Sequence, residues 1–192
     1  MILHWEQIVL HYGEMGEAFI RSHQMKFEKA HQSTYGILYS PVCIDECEIM
    51  SSGGVHAEEK LLNTDTWKIQ IPEALARFNS AYNNKFNVIL GLNRTPCGNC
   101  TQLLVKAINK LHNQFPLRTS QNRFILASLG AYRPNETRSV NNRTTVGNLS
   151  ALKNAGWELC VLQTGARLTA NGIMLQSVLE NMGLRGIMRL DS

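Results

Sequence analysis

The strongest constraint on how this chain folds is a motif split in two. Val55-His56-Ala57-Glu58-Glu59 stands early, and Thr95-Pro96-Cys97-Gly98-Asn99-Cys100 follows, with 40 residues between His56 and Cys97. One imidazole and two thiolates make a ligand set for a single Zn²⁺, so a fold that uses them must bring the two halves together. Three protein ligands leave the fourth tetrahedral position to water, as in a catalytic centre, and the ion lowers the pKa of that water towards neutrality. Glu58 lies two residues beyond the histidine and is the candidate proton carrier. A lone C-x-x-C also serves as a redox pair or as half of a zinc ribbon, and a structural zinc would need a fourth ligand that Cys43 or Cys47 could supply. Pro96 directly before the first cysteine and a carboxylate at position 58 favour the catalytic reading.

At 192 residues the chain is expected to form one domain, 1–192. Within it, a helical segment over about 1–33 precedes a zinc-dependent core over about 35–165, and a C-terminal helix and tail occupy about 166–192. Hydrophobic residues at 44% and charged residues at 18% place it among ordinary globular proteins. No stretch is long and apolar enough to cross a membrane, and Met1–Glu6 lack the basic and apolar regions of a secretory signal. Two of the five cysteines are claimed by the metal site, which leaves an odd three. A disulfide framework is therefore not expected, and a reducing, cytoplasmic site of action is. Charge is uneven: residues 1–93 hold seven Lys/Arg and eleven Asp/Glu, and residues 94–192 hold twelve and four. The basic second half points to a polyanionic partner, the alternative being a solvated surface with a chance imbalance.

Along the chain, helical spacing runs through residues 4–30, where His11, His23 and His31 lack partners at ligand spacing. Two extended runs, Tyr35–Ser40 and Cys47–Ser51, read as a β-hairpin, and a glycine-containing loop leads to the helix that carries His56 and Glu58. Residues 63–84 are hard to read, with a short helix from Pro72 to Tyr82. Strands are expected at Phe86–Leu92, Arg123–Leu129 and Trp157–Leu162. Helices are expected from Cys97 to about His112 with Leu103, Leu104, Ala107, Ile108 and Leu111 as its buried stripe, over Val146–Ala155 ending at Gly156, and over Met174–Met182 before a short apolar tail. Tyr132–Thr145 reads as a polar loop. A helix between the last two strands makes them parallel. The expected fold class is α/β, a three-layer α/β/α domain with a mixed five-stranded sheet.

With the motif and element order in place, the chain resembles the cytidine deaminase-like zinc superfamily. The helix between the last two strands is similar to that of its AID/APOBEC and tRNA adenosine deaminase branch. Leu149-Ser150-Ala151-Leu152-Lys153-Asn154-Ala155-Gly156-Trp157 also resembles a segment of bacterial polymorphic-toxin deaminases. The resemblance spans about residues 35–165. It implies that His56, Cys97 and Cys100 hold the zinc and that Glu58 shuttles the proton. It implies substrate contacts at Asn93, Thr95 and Tyr132, the last as a base-contacting aromatic. Asn93 and Arg94 stand where an aromatic-serine pair is usual, and Thr95 where serine is, so the pocket departs from the family pattern.

The expected function is zinc-dependent hydrolytic deamination of cytosine to uracil in nucleic acid, on single-stranded DNA before RNA, as a bacterial toxin domain acting in the cytoplasm. Arg133, Arg138 and Arg143 would hold phosphates while Tyr132 stacks on an extruded base. The expected partners are nucleic acid and an inhibitory immunity protein, with no membrane and a monomeric enzyme. The rival readings are a deaminase of free nucleoside, nucleotide or nucleobase, adenosine deamination in RNA, and a non-enzymatic scaffold. The last has no use for Glu58.

Overall fold

The computed structural model describes residues 2–4, 33–40, 44–50, 55–78, 86–117, 122–131 and 140–189. Strand β1 is Ile2–His4, β2 Ser33–Tyr39 and β3 Ile44–Met50. Helix α1 (Ala57–Leu62) is followed by a π-helical segment, Thr66–Gln70, that runs into α2 (Ile71–Phe78). Then come β4 (Phe86–Leu92), α3 (Gly98–Gln114), β5 (Asn122–Ser128), α4 (Val140–Ala155), β6 (Trp157–Gln163), α5 (Ala170–Asn181) and β7 (Gly186–Arg189).

The hairpin forms as expected: β2 and β3 are antiparallel, with Tyr39 opposite Ile44 and Ser33 opposite Met50. β2 also pairs antiparallel with β4, and from there β4, β5, β6, β7 and β1 are all parallel to their neighbours. The mixed sheet is therefore seven-stranded, in the order β1-β7-β6-β5-β4-β2-β3. The five expected strands lie side by side within it. The two extra strands join at the β6 edge, and both are too short to show a period-two pattern in sequence. Gly186 permits β7 to close on β6, because a Cβ there would stand 2.6 Å from Cys160 Sγ.

One apolar cluster fixes the layers. It takes alternate residues of the central strands: Val88 and Leu90 of β4, Phe124 and Leu126 of β5, and Trp157, Leu159 and Val161 of β6. It joins them to Leu61, Ile71, Leu75, Leu104, Ile108, Leu149, Leu152, Leu175 and Leu179 of the five helices. Most strand residues on the opposite face are also buried: Ile37, Ile89, Ile125, Ala127, Cys160 and Leu162 are at most 2% exposed, while Glu158 is partly exposed. A sheet closed on both faces is the middle layer of three, the expected α/β/α class. Under the helices Trp157 stacks on Trp67 at 6.1 Å and meets Phe124 edge-on, while its indole N–H donates to the Leu104 carbonyl at 3.2 Å. That bond ties β6 to the body of α3.

Three other expectations change. Residues 2–4 are strand where a helix was expected to begin at residue 4, and the rest of that segment lies outside the described residues. The polar stretch ending at Thr145 is already helical from Val140. Asn and Thr disfavour a helix by only ~0.5 kcal/mol each, too little to exclude one. Finally, Leu103, expected in the buried stripe of α3, is 37% exposed and Ala107 only half-buried, because both lie off the narrow face set by Leu104, Ile108 and Leu111. The short helix expected at Pro72 does form: α2 begins at Ile71 with Pro72 in its first turn. The π segment before it suits a residue with no N–H to give.

Candidate metal centre

The chain leaving β3 enters α1, and the chain leaving β4 enters α3, so each junction delivers half of the split motif. His56 is the N-cap of α1 (φ −101°, ψ 155°) and Cys97 the N-cap of α3 (φ −70°, ψ 172°). Their carbonyls accept the first helical bonds, from Lys60 N at 3.1 Å and Thr101 N at 2.8 Å. Neither side chain is spent on capping. Cys100 follows in the first turn of α3. Gly36 of β2 sets how low α1 sits, since a Cβ there would be 2.9 Å from Leu61 Cδ1 and 3.4 Å from Ala57 Cβ.

His56 Nδ1 lies 3.2 Å from Cys100 Sγ and 3.4 Å from Cys97 Sγ. The three ligand atoms all fall within 4.8 Å of one another, so these residues could hold one metal ion. Bond lengths of about 2.3 Å for Zn–S and about 2.05 Å for Zn–N set tetrahedral N···S separations near ~3.6 Å, so the trio fits zinc with small adjustment. One nitrogen and two sulfurs also suit an ion of borderline softness. Among the described residues the group has three members; Cys43 and the side chain of Cys47 lie outside them.

Glu58 is only 2% exposed, and its Oε2 has no hydrogen-bond partner among the described residues. Burial pushes its carboxyl above the ordinary carboxylate range, against the opposing pull of its own backbone N–H, His56 and the Cys100 side chain. Cys100 is pushed upwards too, first by burial and then by the negative charge of Glu58 and Cys97. Two thiols and a carboxyl crowded together out of water form a site whose electrostatics a cation would reverse.

The remaining candidates separate. Asn93 and Thr95 are buried, at 5% and 4% exposure. Asn93 Oδ1 accepts from Tyr35 N at 3.1 Å and Asn93 N donates to Tyr35 O at 3.1 Å, which ties the end of β4 to β2. Thr95 N donates to Gly130 O at 2.8 Å. Arg143 stands in the first turn of α4, where a loop was expected. Tyr132, Arg133 and Arg138 lie outside the described residues.

Sequence reasoning passed over Asn171 in α5. Its Nδ2 donates to Ala131 O at 3.1 Å and its Oδ1 accepts from Ala131 N at 3.2 Å. The partners are 40 positions apart, and a lone asparagine in a helix gives no signal in sequence. Neither a scan against protein-family models nor a search of curated proteins finds a match to this chain.

Proposed function

We propose that this chain is a zinc-dependent hydrolase that deaminates cytosine to uracil in nucleic acid, with single-stranded DNA as its substrate. The observation that carries the proposal is the buried carboxyl of Glu58 beside the His56, Cys97 and Cys100 trio. A purely structural zinc needs a closed ligand set and has no role for a buried carboxylate beside it. Bound there, zinc would supply an activated water for attack on the ring carbon that bears the amine. Glu58 would take a proton from the attacking water and return protons to the ring nitrogen and the departing amine, so cytosine and water would become uracil and ammonia. His56 and the two cysteines would hold the ion, and the burial of Glu58 would keep bulk water from levelling its proton affinity.

The basic second half of the chain supports a nucleic-acid substrate. The parallel strands β4, β5 and β6 end at one edge of the sheet, the edge that continues into Cys97. Arg94 follows β4 and Arg167 follows β6, and Arg133, Arg138 and Arg143 come between β5 and the body of α4 in sequence. Guanidinium groups at such an edge neutralise phosphates, and Tyr132 would stack on the base. No helix among the described residues is long and apolar enough to cross a membrane. The toxin setting, with an immunity protein as inhibitor and action in another cell's cytoplasm, rests on the resemblance of residues 149–157 alone. Packing also accounts for that segment: Leu149 and Leu152 are buried and Gly156 closes α4 at φ +108°.

The deciding experiment offers zinc-loaded protein single-stranded DNA, duplex DNA, RNA and free cytidine side by side, with Glu58→Ala as control. Uracil released in the DNA single strand and lost in the variant is the expected result. Conversion of free cytidine alone would overturn the polymer substrate. Silence on all four would overturn cytosine.

A further inference from the structure

Asn171 belongs to a helix remote in sequence from the split motif, yet its carboxamide pairs with Ala131 as a neighbouring strand would, giving one N–H and accepting one. A carboxamide offers a donor and an acceptor side by side in one plane, so Asn here continues the sheet past the last residue of β5. Thr169, the N-cap of α5, adds a hydroxyl bond to Leu129 O at 3.4 Å while accepting from Gly172 N at 3.0 Å. The intervening residue shows how closely the parts fit. A Cβ on Gly130 would lie 2.3 Å from Asn171 Nδ2, and a Cβ on Gly172 would lie 3.0 Å from Leu129 O. Both glycines are needed because backbone and helix touch there.

The held segment is the one that braces the metal loop. Gly130 O accepts from Thr95 N at 2.8 Å, and Leu129 N donates to Leu92 O at 2.9 Å. Thr95 is separated from the ligand Cys97 by Pro96 alone, whose ring fixes its own φ and restricts its neighbour. Movement at Gly130 therefore passes to Cys97 through a short, stiff path. We infer that Asn171 is a positioning residue: by pairing with Ala131 it fixes Gly130, and through the Gly130–Thr95 bond it sets the loop that carries Cys97 and the start of the segment leading to Tyr132. This rests on the proposed metal site but not on the identity of the substrate.

Amide hydrogen exchange on the full chain, read residue by residue by NMR, tests the coupling with or without zinc. The variants are Asn171→Ala and Asn171→Asp, the second keeping volume while turning a second acceptor towards the Ala131 carbonyl. Arg123→Gln is the control. It removes the pair to Glu158, formed by Nε at 2.9 Å and Nη2 at 2.6 Å, at the other end of β5. Both Asn171 variants should speed exchange at Ala131 and at Thr95 by about tenfold relative to the control, the effect of losing one hydrogen bond from a local opening equilibrium. Wild-type protection at Thr95, with only Ala131 exposed, would overturn the inference. Zinc should also pass to a chelator several-fold faster from the Asn171 variants than from the control, and equal rates would count against the coupling. A wild-type chain that takes up no zinc would refute the proposed function, while the exchange measurement would still decide the role of Asn171.

Discussion

Glu58 sits 2% exposed with Oε2 unpartnered among the described residues, and burial opposes its charge. A side chain kept dry for proton transfer should cost the zinc-free protein stability. Glu58→Gln keeps the size, removes the charge and leaves one polar atom unpaired. An unsatisfied buried group costs ~1–3 kcal/mol, and more when charged, so the exchange should return about 1 kcal/mol. In a domain of this size that raises the melting temperature by about 2–4 °C. The same substitution should lower uracil release by about 10²–10⁴-fold, the usual contribution of a positioned acid-base group. Thermal unfolding of the zinc-free proteins by circular dichroism reads the first effect, and release from a single-stranded oligonucleotide reads the second. A glutamine variant that melts below wild type would refute the claim that burial of this carboxylate costs stability. Turnover within tenfold of wild type would remove Glu58 from the chemistry.

Cys97→Ala should abolish stoichiometric zinc binding, and a normal metal content by plasma mass spectrometry would contradict the ligand assignment. Trp157→Ala should destabilise the fold by ~3–5 kcal/mol in denaturant titration, because it empties a fully buried site and strands the stacked Trp67; a loss below about 1 kcal/mol would mean that the aromatic cluster does not anchor β6. Arg138→Glu together with Arg143→Glu should weaken oligonucleotide binding most at low salt and flatten the dependence of log K on log salt by about one unit per lost phosphate contact. An unchanged slope would remove those arginines from the interface.

The sequence carried the central fold because its signals are local. Phe86–Leu92 and Trp157–Gln163 are nearly unbroken apolar runs, as strands buried on both faces must be, and the stripe Leu104, Ile108, Leu111 is plain helical spacing. The trio His56, Cys97 and Cys100 was legible because a metal site would restrict residue type as well as spacing. What escaped was decided by pairing at a distance. β7 is four residues long and gains its identity from β6 and β1. The first turn of α4 runs Val140-Asn141-Asn142-Arg143, whose weak preferences give no helix signal in sequence. The two bonds of Asn93 to Tyr35, which knot β4 to β2, gave no signal in sequence either. Asn171 needed the coordinates of Ala131 before it meant anything.

The two helix caps have a further consequence. His56 and Cys97 lie at the ends of a 40-residue excursion that includes α1, the π segment, α2 and the whole of β4. An ion joining them would cross-link the chain and close that loop, much as a disulfide does. For a loop of this length the cross-link restricts the unfolded chain by roughly 4 kcal/mol on the entropic account. The residues that would perform the reaction would then also clasp the hairpin side of the sheet to its parallel side. Metal supply would govern how long the protein lasts as well as how fast it works.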